Sequence, residues 1–386
     1  MKTLQTVGWL AAVAMLVALL TLPMGVRADD NTITFGIIQP LTSQGAEVGH
    51  GLVKGFDLAI KEINDHGGVL GGKKLKYIIE DDQCSPPVTV SAARKLIDQD
   101  GVKIIVGSMC SSTTLAIIPV TQAAKVLQVV PQSFNPTITQ RGDPYLFRTS
   151  INSDIIADTY ADFIANKKDT KTIALLGVND DFGRAQMAAF IKRFKKYGHP
   201  KVVAEEYFRF QDRDFSTYLT KIRQLNPEAM YIIARTPQNA MIINQMAEMH
   251  FRPVVYGNAN FTDQGFIDLA KGNAEGIIAL SDWSKFVDTP TNQHFYAAYK
   301  AMYHEEPSAD YASAGYNAIR VLAAAINKAG TATDVPKLAE TFHNLSVPIN
   351  TGTMTFNKEG QGSIGVFPVS LKDGVYRPIK GFEIWK

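Results

Sequence analysis

The chain has 386 residues, with 39 Lys and Arg against 37 Asp and Glu, for a formal net charge of +2. No basic stripe or charge run accompanies this near balance, which argues against nucleic acid or a charged membrane surface as partner. The length suits two domains, and the only cysteines are Cys84 and Cys110.

In chain order, Lys2 precedes a mostly apolar run, Val7–Leu22, and Val26-Arg27-Ala28 offers a small-residue cleavage site. This is the pattern of a secretory signal peptide over residues 1–28. Pro23 and Gly25 break the run early, and no later apolar run reaches the roughly 18 residues a spanning helix needs. The expected mature chain, Asp29–Lys386, has 358 residues (386 − 28), and losing Lys2 and Arg27 leaves it formally neutral. In an oxidising compartment the two cysteines can pair. Closing that loop contributes on the order of 3–4 kcal/mol in the chain-entropy model.

The pattern then alternates. Ile33–Gln39 reads as a buried strand, and residues 51–66 place Leu52, Phe56, Ala59, Ile60 and Ile63 on one helical face until Gly67-Gly68 stops it. Strand-like KLKYIIEDD (74–82), helical PVTVSAARKLIDQD (87–100), strand-like KIIVG (103–107), a helix to about Ala124 and strand-like VLQVVP (126–131) follow. Such βα repeats build a parallel sheet covered by helices.

After LFRTSINSD (146–154) the rhythm restarts, with strands KTIALLG, KVVAEEYF, AMYIIA, PVVYG and GIIAL. Helices lie between them at Phe182–Lys196, Phe215–Leu225, Gln238–Met249 and Thr262–Ala270, and two more cover His294–His304 and Tyr311–Lys328. TGTMTF, VFPVSL and GVYRPIKGFEIW close the chain as strands, with turns at Lys358–Gly362 and Asp373-Gly374. Two similar α/β lobes without a flexible linker form a hinged pair, and ligands of open α/β sheets bind beyond the strand carboxyl ends.

Catalytic signatures are absent. GSMCS fails the GxSxG pattern, no GxxxxGK[ST] occurs, and GGVLGG (67–72) follows a helix instead of a strand. His304-Glu305-Glu306 is not HExxH, and the seven histidines show no metal spacing. Glu80-Asp81-Asp82 reads as a strand-end cluster, solvated or capping. Gly107–Pro119, GSMCSSTTLAIIP, is the unusual stretch: a cysteine followed by four hydroxyls, Ser111, Ser112, Thr113 and Thr114, stands where a strand gives way to a helix. A cap needs one hydroxyl; an anion site at a helix start can use several donors.

In order and spacing, GIIQPLTSQGAEVGHG (36–51), EDDQC (80–84), GSMCSSTT (107–114), VVPQSFNPTITQRG (129–142) with LFRTS, IALLGVNDDFG (173–183) and AEG (274–276) resemble the periplasmic leucine/isoleucine/valine-binding proteins. These are the type I solute-binding components of ABC transporters, and the likeness covers nearly the whole mature chain. The resemblance implies an α/β fold of two Rossmann-like lobes with parallel-type sheets, joined by a three-stranded hinge. The lobes would take residues 29–151 plus 282–352 and 152–281 plus 353–386. It also implies that Cys84 and Cys110 are bonded and that the ligand sits between the lobes.

The same resemblance assigns Ser111, beside Ser112, to the ligand carboxylate, and leaves Thr113 and Thr114 to the helix. Aligned on Pro131 and Pro136, the next segment puts Gln132, Ser133 and Phe134 in the cleft, with Phe134 replacing a threonine. Ala259, between Asn258 and Asn260, stands where amino-acid binders carry an acid. A buried ammonium without a carboxylate is costly, so both departures favour an acid without an amino group. Phe182 takes the place of an aromatic that packs on the ligand, and Val48 replaces another; Ser43 and Gln44 lie on the first loop. From the residues alone, Arg235 follows a strand directly and reaches the cleft rim, where arginine holds carboxylates. Tyr311 either flanks the cleft or fills core.

The expected ligand is a small organic acid, first an aromatic one such as a benzoate or hydroxycinnamate derivative, with Phe134 and Phe182 sandwiching its body. Asn258, Asn260 or Gln132 would meet a distal polar group. The alternatives are a branched-chain amino acid, delivery to a membrane sensor, and a secreted hydrolase on this fold. The expected partners are the permease and ATPase of an ABC importer. The protein is expected to be a periplasmic monomer and not an enzyme, with no metal, cofactor or nucleic acid.

Overall fold

A computed structural model describes residues 31–43, 45–166, 170–307 and 309–379. The expected signal peptide, residues 1–28, and the candidate Gln44 lie outside these described residues.

The apolar runs pair as buried parallel strands. β1 (Thr32–Gln39) lies between β2 (Lys74–Asp81) and β3 (Ile104–Gly107), and β4 (Leu127–Val130) and β5 (Leu146–Arg148) extend the sheet in the order β2-β1-β3-β4-β5. All four pairings are parallel. The second sheet repeats this winding: β6 (Thr172–Val178) lies between β7 (Lys201–Phe208) and β8 (Ala229–Ile233), followed by β9 (Val254–Gly257) and β10 (Ile278–Ser281). A ribbon of β11 (Val347–Ile349) and β12 (Gly352–Met354) stands apart, while β13 (Phe367–Lys372) and β14 (Val375–Pro378) add antiparallel strands beside β10. Parallel neighbours need covered crossovers; the helices supply them and bury both faces, so β3 and β8 are buried at every residue. Both lobes are thus Rossmann-like, each with the doubly wound order 2-1-3-4-5.

The chain passes between the sheets three times: after β5, after β10, and between β12 and β13. The helix Ala46–Asp65 packs on Tyr311–Ala329, so late sequence returns to the first sheet. They meet at Gly55 and Gly315: a methyl group at Gly55 would stand 2.1 Å from the Ala312 carbonyl oxygen, and one at Gly315 2.2 Å from that of Leu52. No larger residue permits that approach.

Helix bounds differ from the sequence pattern mainly at loops. The first helix starts at Ala46 instead of residue 51, because Val48 extends the buried face of Leu52 and Phe56 by one turn. Pro86–Arg94 is α-helical but Lys95–Gln99 continues as a wider π turn. β5 has only three residues, too few to show a period, and the amphipathic helix Val335–His343, with Pro336 in its first turn, adds an element that the sequence pattern does not show. Of GVYRPIKGFEIW, Val375–Pro378 is strand, and residues 380–386 are outside the described residues. Among the described residues no helix is long and apolar enough to cross a membrane, and no cluster of three or more His, Cys, Asp or Glu is placed to hold a metal.

Candidate functional site

Three loops from the first lobe and three from the second converge at the carboxyl ends of their strands. The gap between them spans about 360 Å³ of non-atom space, open solvent included. Its walls are Val48, Met109, Cys110, Ser111, Gln132, Ser133 and Phe134 from the first lobe and Phe182, Arg235 and Asn260 from the second. Eight of these residues are sequence candidates; Met109 and Cys110 are not.

The hydroxyl run after β3 divides its labour. Cys110 is extended, with φ −73° and ψ 133°, and Ser111 opens the helix Ser111–Ala123. Thr113 donates to the Cys110 carbonyl at 2.8 Å, and Thr114 donates to the Ser108 carbonyl at 2.9 Å and meets the Ser133 hydroxyl at 2.7 Å. These two hydroxyls stitch the turn together. The Ser111 oxygen accepts the Asn135 N–H at 3.2 Å, which leaves its own proton to donate. Ser112 is half-buried and is not part of the cavity wall.

The disulfide between Cys84 and Cys110 spans a Cα–Cα distance of 5.7 Å and fastens this turn to the end of β2. The acidic run beside it is structural. Asp81 accepts from the Leu41 N–H at 2.8 Å and the Thr42 hydroxyl at 2.6 Å, Lys95 holds Glu80 at 2.6 Å, and the Ser108 hydroxyl donates to Asp82. Burial pushes the Asp82 carboxyl above the usual carboxylate range, against the pull of Ser108.

Arg235 caps the helix Thr236–Glu248 and is only 4% exposed. Its Nη2 donates to Asp180 Oδ2 at 2.9 Å, and its guanidinium lies 4.7 Å from the Phe210 ring centre and 5.6 Å from that of Phe182. Its Nη1 is buried and has no hydrogen-bond partner among the described residues. Asp180 is held in turn as the N-cap of the helix Asp181–Tyr197, accepting the Gly183 N–H at 2.9 Å.

Phe134 and Phe182 meet across the cleft with ring centres 5.8 Å apart. That is direct ring contact, so in this closed arrangement they form one apolar wall. The expected sandwich, with a ligand ring between them, has no space here.

The asparagines of the GNANF loop are largely spent. Asn258 and Asn260 both donate to the Ala234 carbonyl, at 2.9 and 2.8 Å, which fixes the turn that carries Arg235. Asn260 accepts from the Tyr311 hydroxyl at 3.0 Å, tying the lobes together, while Asn258 sits behind the loop, outside the cavity wall. Tyr311 is therefore a buried strut. Ser43 is exposed at φ 74°, its hydroxyl turned to the Gly45 N–H at 3.4 Å, and it too is outside the wall. Among the described residues no Asp or Glu lines the cavity, and Ala259 brings none.

Sequence reasoning missed the supports. Arg148 is fully buried at the end of β5, where its Nη1 donates to the carbonyls of Ser133 and Asn135 at 2.9 and 2.7 Å. Its Nε donates to Gln361 Oε1 at 2.7 Å. Burial without a contacting carboxylate lowers its pKa to about 9. Gln132 Nε2 donates to Asp310 Oδ2 at 2.9 Å, and the Asp282 carboxyl faces Asp310 from the second crossing. Burial and each other's charge hold Asp282 well above the ordinary carboxylate range. The only signal for Arg148 was a charge within LFRTS, directly after an apolar run.

Comparison with known proteins places these features in context. The family profile described as periplasmic binding protein matches residues 32–374. A leucine-, isoleucine-, valine-, threonine- and alanine-binding protein of Pseudomonas aeruginosa is 29% identical over 86% of this chain and 87% of its own length. The crystal structure of a leucine binding protein from Thermotoga maritima superposes with a TM-score of 0.84 at 25% identity, covering 90% of this chain and 97% of its own. A solute binding protein of an ABC transporter from Rhodopseudomonas palustris, in complex with 3,4-dihydroxybenzoic acid, gives 0.82 at 25% identity with the same coverage, 90% and 97%.

Proposed function

The chain belongs to the periplasmic binding protein family, as a solute-binding protein of ABC transporter type and not an enzyme, and we propose that it binds a small aromatic carboxylate. The observation that carries this reading is the buried Arg235 Nη1 without a partner, on the wall of a cavity that also holds Phe134 and Phe182. A buried charged donor left unmade is costly, and a ligand carboxylate satisfies it. The Ser111 hydroxyl and the free N–H groups of its helix start add donors at the same wall.

The amino-acid alternative is supported by the names of the Pseudomonas and Thermotoga relatives. It is disfavoured by the acid-free wall, since an α-ammonium would be buried without a counter-charge. The aromatic alternative has its own support in the dihydroxybenzoate complex.

In this reading the protein acts as a monomer after residues 1–28 are cleaved, and the lobes divide as 29–151 plus 282–352 and 152–281 plus 353–386. The ligand drives hinge closure by binding the closed form better, and the closed form delivers it to the permease and ATPase. The deciding experiment is a thermal-shift screen of the purified protein against aromatic acids, aliphatic acids and amino acids. Ligand at about 100 times its Kd stabilises by about 2.7 kcal/mol, so aromatic acids should raise the melting temperature. A shift with leucine or valine and none with aromatic acids sinks the proposal.

A further inference from the structure

The polar atoms facing the cavity are few, and most are spent. Ser133 donates to the Met109 carbonyl at 2.8 Å, and both ends of the Asn260 amide are engaged, by Ala234 and Tyr311. Among the side chains of the described residues, what remains are two donors, Arg235 Nη1 and the Ser111 hydroxyl, and one amide, that of Gln132.

The amide of Gln132 has two ends, and the structure fixes which one faces the ligand. Its Nε2 is taken by Asp310 Oδ2 at 2.9 Å. Asp310 is fully buried and faces the equally buried Asp282, whose two carboxyl oxygens find no donor elsewhere. Two bare carboxylates in contact without a cation repel each other, so the pair keeps one proton. The neighbours say where: Asp310 accepts the Gln132 N–H, whereas Asp282 has no donor, so the proton sits on Asp282 and points to Asp310. That leaves Asp310 as the charged member of the pair, with its Oδ2 accepting the Gln132 N–H. Turning the Gln132 amide would set its oxygen against an anion. The atom left for the cavity is therefore the acceptor, Oε1.

We infer that Asp310 is a positioning residue for specificity: it holds Gln132 so that the site presents donors for a carboxylate and an acceptor for a hydrogen-bond donor on the ligand. This rests on the carboxylate reading above and narrows it to aromatic acids that carry a ring hydroxyl. A site built to pair a hydroxyl rejects the analogue lacking it, because its own buried acceptor is then stranded.

The test is titration calorimetry with benzoate, 3-hydroxybenzoate, 4-hydroxybenzoate and leucine on the wild type, Gln132→Met and Asp310→Asn. The wild type should bind one hydroxylated acid roughly tenfold or more tighter than benzoate. Gln132→Met should bring that ratio near one. Asp310→Asn, whose amide accepts or donates and so no longer fixes Gln132, should reduce it several-fold. A purely structural role for Asp310 would instead change all the acids together and leave the ratio intact, overturning the inference. Equal affinity of the wild type for benzoate and both hydroxybenzoates also overturns it while leaving the aromatic-acid reading standing. Binding of none of these acids overturns both. Tight leucine binding that is lost in Gln132→Met would assign the oxygen to an ammonium and overturn it as well.

Discussion

Arg235 gives one half of its guanidinium to Asp180, at 2.9 Å, and keeps the other half buried and unpaired at the cavity wall. The ion pair does not discharge the site; it aims it. Asp180 is itself fixed as a helix cap, and Phe210 lies over the guanidinium plane, so the free nitrogen has one orientation.

Arg235→Lys therefore removes more than its conservative appearance suggests. A lysine ammonium is a point charge without the fork, and it cannot hold Asp180 and a ligand carboxylate in the same geometry. Affinity for the aromatic acid should fall by roughly ten- to hundredfold, as for a lost charged hydrogen bond of about 1.5–3 kcal/mol. Calorimetry checks it, with the methyl ester of the same acid as control: the ester should bind poorly to both proteins. An unchanged Kd for the acid would remove Arg235 from the site.

Ser111→Ala tests the hydroxyl that the helix does not need. Its loss deprives the ligand of a donor and the Asn135 N–H of an acceptor. The expected cost is about 1 kcal/mol, roughly fivefold in Kd, with the same change for hydroxylated and unsubstituted acids. A Kd within error of wild type would leave Ser111 only its role as acceptor for the Asn135 N–H.

The alternation of strands and helices was legible because parallel strands buried on both faces leave continuous apolar runs such as AMYII in β8. The cavity was legible where function sits next to a strand end: Ser111, Phe134, Phe182 and Arg235 each follow one within a few residues. Its supports were not, because each is defined by a partner far along the chain. Arg148 is braced by Gln361, 213 residues away, and Gln132 by Asp310, 178 away. No local pattern marks such pairs. Asn258 misled for a related reason: a polar residue after a strand looks like a ligand contact until the Ala234 carbonyl claims it.

Arg148 supports the Ser133–Asn135 loop from below. Arg148→Met leaves the Ser133 carbonyl without its donor and strips the shorter bond from the Asn135 carbonyl and the Gln361 amide oxygen, which keep only the Ile138 N–H and Asn152 Nδ2, each at 3.3 Å. Unmade buried acceptors cost about 1–3 kcal/mol each, and relief of the buried charge offsets part of this. Urea unfolding should show a net loss of about 2–4 kcal/mol. A change below about 0.5 kcal/mol would mean the loop holds itself.

A second carboxyl pair joins the lobes. Asp263 caps the helix Gln264–Leu269, accepting the Gly265 N–H at 2.6 Å, and faces Glu47 on the opposite lobe. Burial, then the Glu47 neighbour, pushes Asp263 up to about 8. The sign follows from proton binding. The folded chain holds this proton more tightly than the unfolded one, whose aspartate titrates near pH ~4. Stability from this group is thus full below about pH 4, declines as pH rises, and levels off above about 8. The melting temperature of the wild type should fall across that window relative to Asp263→Asn, which keeps a cap oxygen but does not ionise. Parallel curves for the two proteins would show that the pair carries no such linkage.

The disulfide joins stability to the site. Its 26-residue separation closes a loop worth about 3.5 kcal/mol in the chain-entropy model, and Cys110 is both the residue before Ser111 and part of the cavity wall. Replacing Cys84 and Cys110 together with serine should therefore do two things. Unfolding free energy should drop by about 2–4 kcal/mol. Affinity for the carboxylate should also fall several-fold at temperatures where the protein is still folded, because the turn that presents the Ser111 donors is no longer tied to the end of β2. The second effect is the informative one. A general loss of stability lowers the fraction folded without changing the Kd of what remains folded, so calorimetry well below the melting temperature separates the two. If the double variant melts earlier but binds as tightly as wild type, the cross-link serves the lobe alone, and the Ser111 turn is held by Thr113 and Thr114 without it.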